Sequence, residues 1–231
     1  MVNVDTVYQR VLALANKEQR GYVTPQEFNL FANQAQLEIV DQYFYDLNQF
    51  ERMRNSSSEY SDMVDLIEEK LGVLSTFFNS TTSANNHTIP PSCYRLNVVE
   101  RSNIVAEKVT RSEFKQMLNG GPLTLPTNRN PVYMHEPTSA GAVGSTIYLH
   151  PNGPCSMKYI KKPNAINWGY VVVNEVALYD PTNTINFELH PMEETELVYK
   201  ILKLAGLAMR RDDVAQGGQG LESMKIQQEK Q

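Results

Sequence analysis

Cysteines and long apolar runs are scarce in this chain of 231 residues. Its two cysteines, Cys93 and Cys155, cannot form a disulfide framework or supply a four-ligand zinc site, so we interpret both as reduced, small hydrophobic residues. No apolar run approaches the roughly 18 residues that a membrane-spanning helix needs, and the N-terminus lacks the pattern of a secretory signal. These absences predict a protein of a reducing compartment with no membrane partner.

Positive charge is also limited. Lys and Arg number 21 against 26 Asp and Glu, which gives a formal net charge of −5. Because proteins hold nucleic acid mainly by neutralising phosphates, a mildly acidic chain is not expected to wrap DNA or RNA by bulk charge. Hydrophobic residues make up 41% of the chain and charged residues 20%, so most of it is expected to fold.

Motifs for catalysis or metal binding are missing. None of the four histidines has the i, i+4 partner of a zinc-binding helix, and no HExxH occurs. His190 stands before Glu193 and Glu194, but a helix start with acidic residues in its first turn explains this cluster more simply. The sequence therefore predicts no catalytic residue, no cofactor and no metal site.

Residues 1–75 have the pattern of helices. Apolar residues recur at helical spacing from Val4 to Ala15. A second helix has a strong start signal, because Thr24 and Glu27 can satisfy each other's exposed backbone N–H groups in a capping box. A third helix is predicted to follow, in the second half of this segment.

The second predicted helix, from residue 25 to about 47, is apolar on more than one side, and such a helix is buried on more than one side. Its polar positions are mostly amides, and no Lys or Arg occurs over residues 21–51. Two interpretations stay open: a subunit interface, or the central helix of an ordinary bundle. Under the first, the interface residues are predicted to be Phe28, Leu30, Leu37, Val40 and Phe44.

Prolines divide residues 76–190 into short apolar segments typical of an antiparallel sheet. The predicted strands are Tyr94–Val99, Asn103–Val109, Val132–His135, Thr146–His150, Met157–Lys161, Val171–Val173 and Ile185–Leu189. A last helix is predicted to begin at Pro191. The predicted fold class is α+β: a bundle of N-terminal and C-terminal helices with a β-rich antiparallel insert and a flexible C-terminal tail. Its parts are 1–75 (N-terminal helices), 76–190 (β-rich insert), 191–211 (C-terminal helix packing on the N-terminal helices) and 212–231 (docking or disordered tail).

The tail at 212–231 has too few apolar residues to fold alone, so it is predicted to be disordered or ordered against a partner. Leu221, Met224 and Ile226 are its candidate docking residues. Removing the tail is expected to leave a folded body but weaken assembly.

Three lysines at 158, 161 and 162 interleave with Tyr159 and precede Trp168. Nucleic acid can use such a patch. An edge strand protected by lysines against aggregation is the commoner explanation.

Three segments carry a resemblance to a known group: VYQRVLALANKEQRGYVTPQEFNLFANQAQLEIVDQYFYDLNQF at 7–50, MKYIKKPNAINWGY at 157–170 and FELHPMEETELVYKILKLAGLAM at 187–209. Together they resemble virion structural proteins of tailed bacteriophages, in particular the neck or ring proteins of crAss-like and related marine podoviruses. These proteins join the portal to the tail.

This resemblance implies a homo-oligomeric ring, commonly of twelve copies, that contacts the portal protein and adjacent neck or tail rings. It implies passage of genomic DNA without sequence-specific binding, no enzymatic activity, and assembly in the host bacterial cytoplasm into the virion. Two alternatives stay open. One is another virion component, such as a tail-tube, tail-hub or head-completion subunit. The other is a small intracellular hydrolase that uses His190 with Glu193 or Glu194.

Overall fold

The computed structural model describes residues 1–15, 23–53, 59–137, 145–208 and 212–229. Its helices are α1 (Val4–Ala15), α2 (Pro25–Met53), α3 (Glu59–Gly72), α4 (Arg111–Asn119), α5 (Glu194–Ala208) and α6 (Asp212–Glu229). Its strands are β1 (Ser75–Ser80), β2 (Asn86–Thr88), β3 (Cys93–Arg101), β4 (Ile104–Val105), β5 (Glu107–Lys108), β6 (Val132–Pro137), β7 (Ser145–His150), β8 (Cys155–Lys161), β9 (Tyr170–Val173) and β10 (Val176–Tyr179). The predicted α+β class is confirmed.

The chain divides into two compact units. A helical unit comprises residues 1–73 and 163–231, and a β unit comprises residues 74–162. This division places residues 163–190 with the helices.

Side-chain caps begin the first two helices of the helical unit. The Asn3 side-chain oxygen accepts hydrogen bonds from the backbone N–H groups of Asp5 and Thr6, at 2.8 and 3.3 Å. At the start of α2, the Thr24 N–H donates to the Glu27 carboxylate at 3.0 Å, and the Glu27 N–H donates to the Thr24 hydroxyl at 3.3 Å. Both of these backbone N–H groups, which have no partner within the helix, are therefore hydrogen-bonded, and the predicted capping box is confirmed.

Two four-stranded sheets form the β unit, in the orders β1-β8-β3-β4 and β2-β7-β6-β5. All of their pairings are antiparallel except β5 with β6. Alternate residues of both sheets meet in one apolar cluster, which includes Val99, Cys155 and Met157 from the first sheet and Ile147 and Leu149 from the second. Burial of Cys155 raises the pKa of its thiol to about 11, so this side chain is a protonated core residue.

The prediction of a strand at Ile185–Leu189 is wrong. Only two isolated antiparallel bridges form there, between Ile185 and Asn167 and between Phe187 and Val2. The alternating pattern has another cause, because Phe187 and Leu189 are buried while the Glu188 carboxylate binds the backbone and side chain of Asn164. A segment with one apolar face and only isolated bridges gives the same period as a strand.

Candidate assembly surfaces

One face of α2 is open to solvent along most of the helix. The exposed positions 30, 34, 37, 41, 45 and 48 follow the three- and four-residue spacing of a single helical face. Three of them are large and apolar: Leu30 is 70% exposed, Leu37 39% and Tyr45 66%. We call these three residues the α2 stripe. Gln34 and Asp41 lie between these apolar side chains on the same face. The described residues leave this face uncovered, while the other sides of the helix are packed.

The structure separates the five residues predicted as an interface into two groups. Phe28, Val40 and Phe44 are buried by this chain's own residues. Leu30 and Leu37 are exposed, and their role in an interface stays a prediction. The sequence analysis missed Tyr45, although its spacing of eight residues from Leu37 places it on the same face.

Amide side chains on another face of α2 bind the chain itself. Asn33 pairs with the backbone of Ile166 through both of its polar atoms, at 2.8 and 3.0 Å. Asn29 accepts from the Trp168 N–H at 2.8 Å, and Gln36 donates to the Asn164 carbonyl at 3.0 Å. We call Asn29, Asn33 and Gln36 the amide ladder. These amides had suggested a subunit interface, but they hold an extended segment of the same subunit.

β9 and β10 form a separate two-stranded hairpin. Its two-residue turn has positive φ at both positions, 49° at Asn174 and 65° at Glu175, which matches the twist of paired strands. The two residues of a cross-strand pair lie on the same face of the hairpin. The pairs Val171–Leu178 and Val173–Val176 are two residues apart along the strands, so all four side chains lie on one face. These four residues, the hairpin patch, are 47–58% exposed. The patch is a second apolar surface of the helical unit that the described part of the chain leaves uncovered.

The base of this hairpin is firmly attached. The Trp168 ring lies 5.9 Å from that of Tyr170 and 5.8 Å from that of Tyr179, one residue from each strand. Trp168 is buried, and its indole N–H donates to the Asp5 carboxylate of α1 at 2.9 Å. Gly169 is required at the base, because a Cβ there would lie 2.6 Å from the Asp180 carbonyl oxygen.

Residues 212–229, which include most of the predicted tail, form the helix α6 against α5. At Gly218 the two backbones approach so closely that a Cβ would lie 2.9 Å from the Lys203 nitrogen. Of the candidate docking residues, Leu221 and Met224 are exposed, while Ile226 is partly buried and lines a cleft with Tyr43 of α2. The predicted flexibility of the tail, and its docking role, stay predictions.

Charged side chains hold α6 to α5. Glu222 of α6 is buried, and its carboxylate accepts hydrogen bonds from Lys200 at 2.6 Å and from Lys203 at 3.0 Å. Lys200 also lies 3.6 Å from Glu196, one turn earlier in α5. Burial raises the pKa of Glu222, but the hydrogen bonds and charges of the two lysines outweigh it, so its pKa lies below the ordinary value.

A second set of ion pairs continues from the first into α3. Glu193 is fully buried and pairs with Lys70 of α3 at 2.8 Å and with Lys225 of α6 at 3.3 Å. Lys225 also lies 3.4 Å from Glu196. Burial and the neighbouring Glu193 charge raise the pKa of Glu196; burial also opposes ionisation of Glu193, but Lys70 holds its pKa below the ordinary value. We call the two sets together the ionic network; it joins α3, α5 and α6.

The three residues of the hydrolase alternative have separate contacts. The His190 ring nitrogen Nδ1 accepts from the Met192 N–H at 3.4 Å, at the start of the turn that precedes α5. Glu194 pairs with Arg10 at 2.8 Å, and Glu193 belongs to the ionic network. Among the described residues, no group of three or more His, Cys, Asp or Glu is arranged to hold a metal ion.

The lysine-rich segment lies on an interior strand. β8 is paired on both sides, with β1 and β3, so the interpretation of an edge strand is wrong. Tyr159 and Trp168 are both buried and have no face free for a base to stack on. Lys158 lies over the ring of Phe77, 5.7 Å from its centroid.

In comparisons with known proteins, the sequence matches no protein-family model and no curated protein. Among the described residues, no helix has both the length and the apolar content needed to cross a membrane.

Proposed function

We propose that this protein is a non-enzymatic structural subunit of a tailed-phage virion, which forms a ring in the neck between the portal and the tail. In this proposal the helical unit is the ring body and the β unit is an extension. The α6 segment docks on an adjacent ring, and genomic DNA passes through the channel. The proposal starts from the three segments that resemble neck proteins.

One observation carries the proposal: these three segments, far apart in sequence, meet at one point of the helical unit. Gln36 of the first segment donates to the carbonyl of Asn164 in the second, at 3.0 Å. Gln36 also accepts from the N–H of Glu188 in the third, at 3.1 Å. The Glu188 carboxylate closes the triangle by accepting from Asn164 twice, at 3.0 Å each. The helical-unit parts of all three segments therefore belong to one structural body, while residues 157–162 of the second segment lie in the β unit.

The α2 stripe supports assembly in particular. A ring subunit must bury surface against two neighbours through head-to-tail contacts. The open face of a long helix with three large, exposed apolar side chains is the kind of surface that such contacts cover.

The test is electron microscopy of the purified protein, alone and mixed with its portal, together with mass spectrometry of intact particles. We expect closed rings and the presence of the chain in virions. A strictly monomeric protein that is missing from particles rejects the proposal. Localising a tagged copy in the particle separates the neck from the tail-tube, tail-hub and head-completion positions.

Removing residues 212–231 tests the docking role of the last helix. We expect the body to stay folded, because Lys200 and Lys203 become hydrated when Glu222 is removed. We expect its assembly to weaken, because the proposed docking segment is lost. A truncated protein that assembles as well as the full chain contradicts this role.

A further inference from the structure

We infer that the β9–β10 hairpin is an assembly arm, whose hairpin patch packs on the α2 stripe of a second copy of this chain. The inference deepens the proposed ring and rests on it for the repetition of this contact around a closed circle. It begins from two apolar surfaces of one helical unit that the described residues leave uncovered.

The hairpin is built to present its patch. A two-stranded hairpin without further support is marginally stable in water. Here Trp168 fixes its base from both strands and is itself held by Asp5 and Asn29. The patch beyond that base stays exposed. A surface that is already ordered loses little conformational entropy when it binds, which favours association.

Charge excludes two classes of partner. No Lys or Arg occurs over residues 163–199, a range that contains the whole hairpin and both of its flanks. The charged residues at the hairpin and its base are acidic, Glu175 and Asp180. Nucleic acid and anionic lipid surfaces are bound through positive side chains, so neither suits this arm. An apolar protein surface does.

The α2 stripe supplies that surface. Residues 21–51 also lack Lys and Arg, so the two surfaces share an apolar, weakly acidic character. From its exposed side chains, each offers roughly 300 Å² of mostly apolar area, at the lower end of the range for the largest and often functional patch on a monomer. A single contact of this size belongs to the small, weak class of interfaces. The patch is about 7 Å long, counted along its strands. It fits within the separation of about 10 Å between Leu30 and Leu37 along the helix.

The assignment to a second copy follows from the number of surfaces. One contact between hairpin patch and α2 stripe, repeated from copy to copy, covers both surfaces of every subunit. Such a contact joins two different surfaces, so it is head-to-tail, and it closes into a ring when the rotation between copies allows. Pairing of two hairpins would leave both α2 stripes exposed.

The first test removes the patch while preserving the hairpin. Val173→Glu combined with Val176→Lys places opposite charges on directly facing positions, which supports strand pairing. We expect self-association to weaken at least about tenfold, because the contact would have to bury charge. Mass photometry or sedimentation measures it, and the Trp168 fluorescence spectrum checks that the hairpin base is intact.

The second test alters the facing surface, through Leu37→Glu. Alone, this variant is expected to lose higher assemblies as the hairpin variant does. Mixed together, the two variants are expected to form dimers and nothing larger. Each pair then has one intact patch against one intact stripe, and no further contact can form. Only a head-to-tail contact between these two surfaces gives this result.

A matched control is Val105→Glu, which changes a valine of the β unit that is 63% exposed. It should assemble as the wild-type chain does. If the wild-type chain assembles and the variant with the altered patch assembles equally well, this inference is overturned and the proposed ring is left intact. A wild-type chain that stays monomeric, or whose hairpin binds anionic vesicles or another protein instead, also overturns it. Absence of the chain from virions rejects the proposed function separately.

Discussion

The first and last helices of the chain are held to the same helical unit by opposite means. α1 buries an apolar face, in which Val4, Val7 and Val11 are fully covered. α6 turns Glu222 and Lys225 towards the body and leaves Leu221 and Met224 exposed. Apolar burial stabilises a contact at any pH. Buried ion pairs are stable only while both partners are present and charged, since each has lost hydration.

The largest effect is expected in α1, from Tyr8→Ala. The buried Tyr8 ring lies 4.3 Å from Trp168 and 4.7 Å from Phe28, centroid to centroid. Its loss leaves a cavity and should lower the free energy of unfolding by about 3–5 kcal/mol. Trp168 is the only tryptophan, so urea unfolding followed by its fluorescence reports on this core.

Leu14→Ala is the matched control on the same helix, because Leu14 is exposed. It should change stability by less than about 0.5 kcal/mol. Equal effects of the two substitutions would show that α1 is not held by its buried face.

A smaller and more local effect is expected from Glu222→Gln. The substitution leaves Lys200 and Lys203 without the carboxylate they share, and breaking a buried pair typically costs about 3–5 kcal/mol. Because α6 can leave the body and rehydrate these lysines, the loss should be limited to release of α6. Hydrogen exchange over 212–229 should accelerate while α1 stays protected.

Ser223→Ala, at the exposed neighbouring position, should not accelerate that exchange, because the Ser223 hydroxyl bonds only within α6, to the Gln219 carbonyl. If Glu222→Gln instead lowered protection throughout the helical unit, α6 would be as integral to the fold as α1. The contrast between the two helices would then be wrong.

Acid should separate the two helices without any mutation. The pKa values of Glu222 and Glu193 lie below their ordinary value of 4.5, so both stabilise the attachment of α6 above that pH. This stabilisation is lost as pH falls below 4.5 through the lowered values. Glu196 acts in the opposite sense, because its pKa is raised and its protonation favours the folded state. The groups that face these carboxylates are Lys70, Lys200, Lys203 and Lys225.

Below pH 4.5 we therefore expect exchange over 212–229 to accelerate before exchange in α1 does, and high salt to shift this transition only weakly, since the pairs are buried. Loss of both helices at the same pH would contradict the difference in how they are held.

Local signals in the sequence predicted local structure. The capping box at Thr24 predicted the start of α2, since a cap and its partner are three residues apart. The apolar spacing in α1 predicted which of its residues are buried. The same pattern could not separate the exposed Leu30 and Leu37 of the candidate interface from the buried Phe28.

Features that depend on distant partners could not be predicted. The amides of α2 were visible in the sequence, but their partners lie more than 120 residues away. The segment of α6, which contains three glycines, was predicted as a tail because it has few apolar residues. Its attachment depends on Lys200 and Lys203, on another helix, and sequence periodicity contains no information on such pairs.

The smallest expected effects come from those glycines, and they differ in sign. A Cβ at Gly217 or Gly220 meets no atom within 4 Å, whereas at Gly218 it would lie 3.1 Å from the Tyr199 carbonyl oxygen. Gly217→Ala and Gly220→Ala should each stabilise α6 by up to about 1 kcal/mol, through helix propensity alone. Gly218→Ala should weaken its attachment, because the backbones of α5 and α6 would have to separate. The free energy of opening from hydrogen exchange over 212–229 measures all three. If all three alanines slowed exchange, the stability of α6 would depend on its intrinsic helix propensity. If only Gly218→Ala speeds exchange, that stability depends on the close backbone contact with α5.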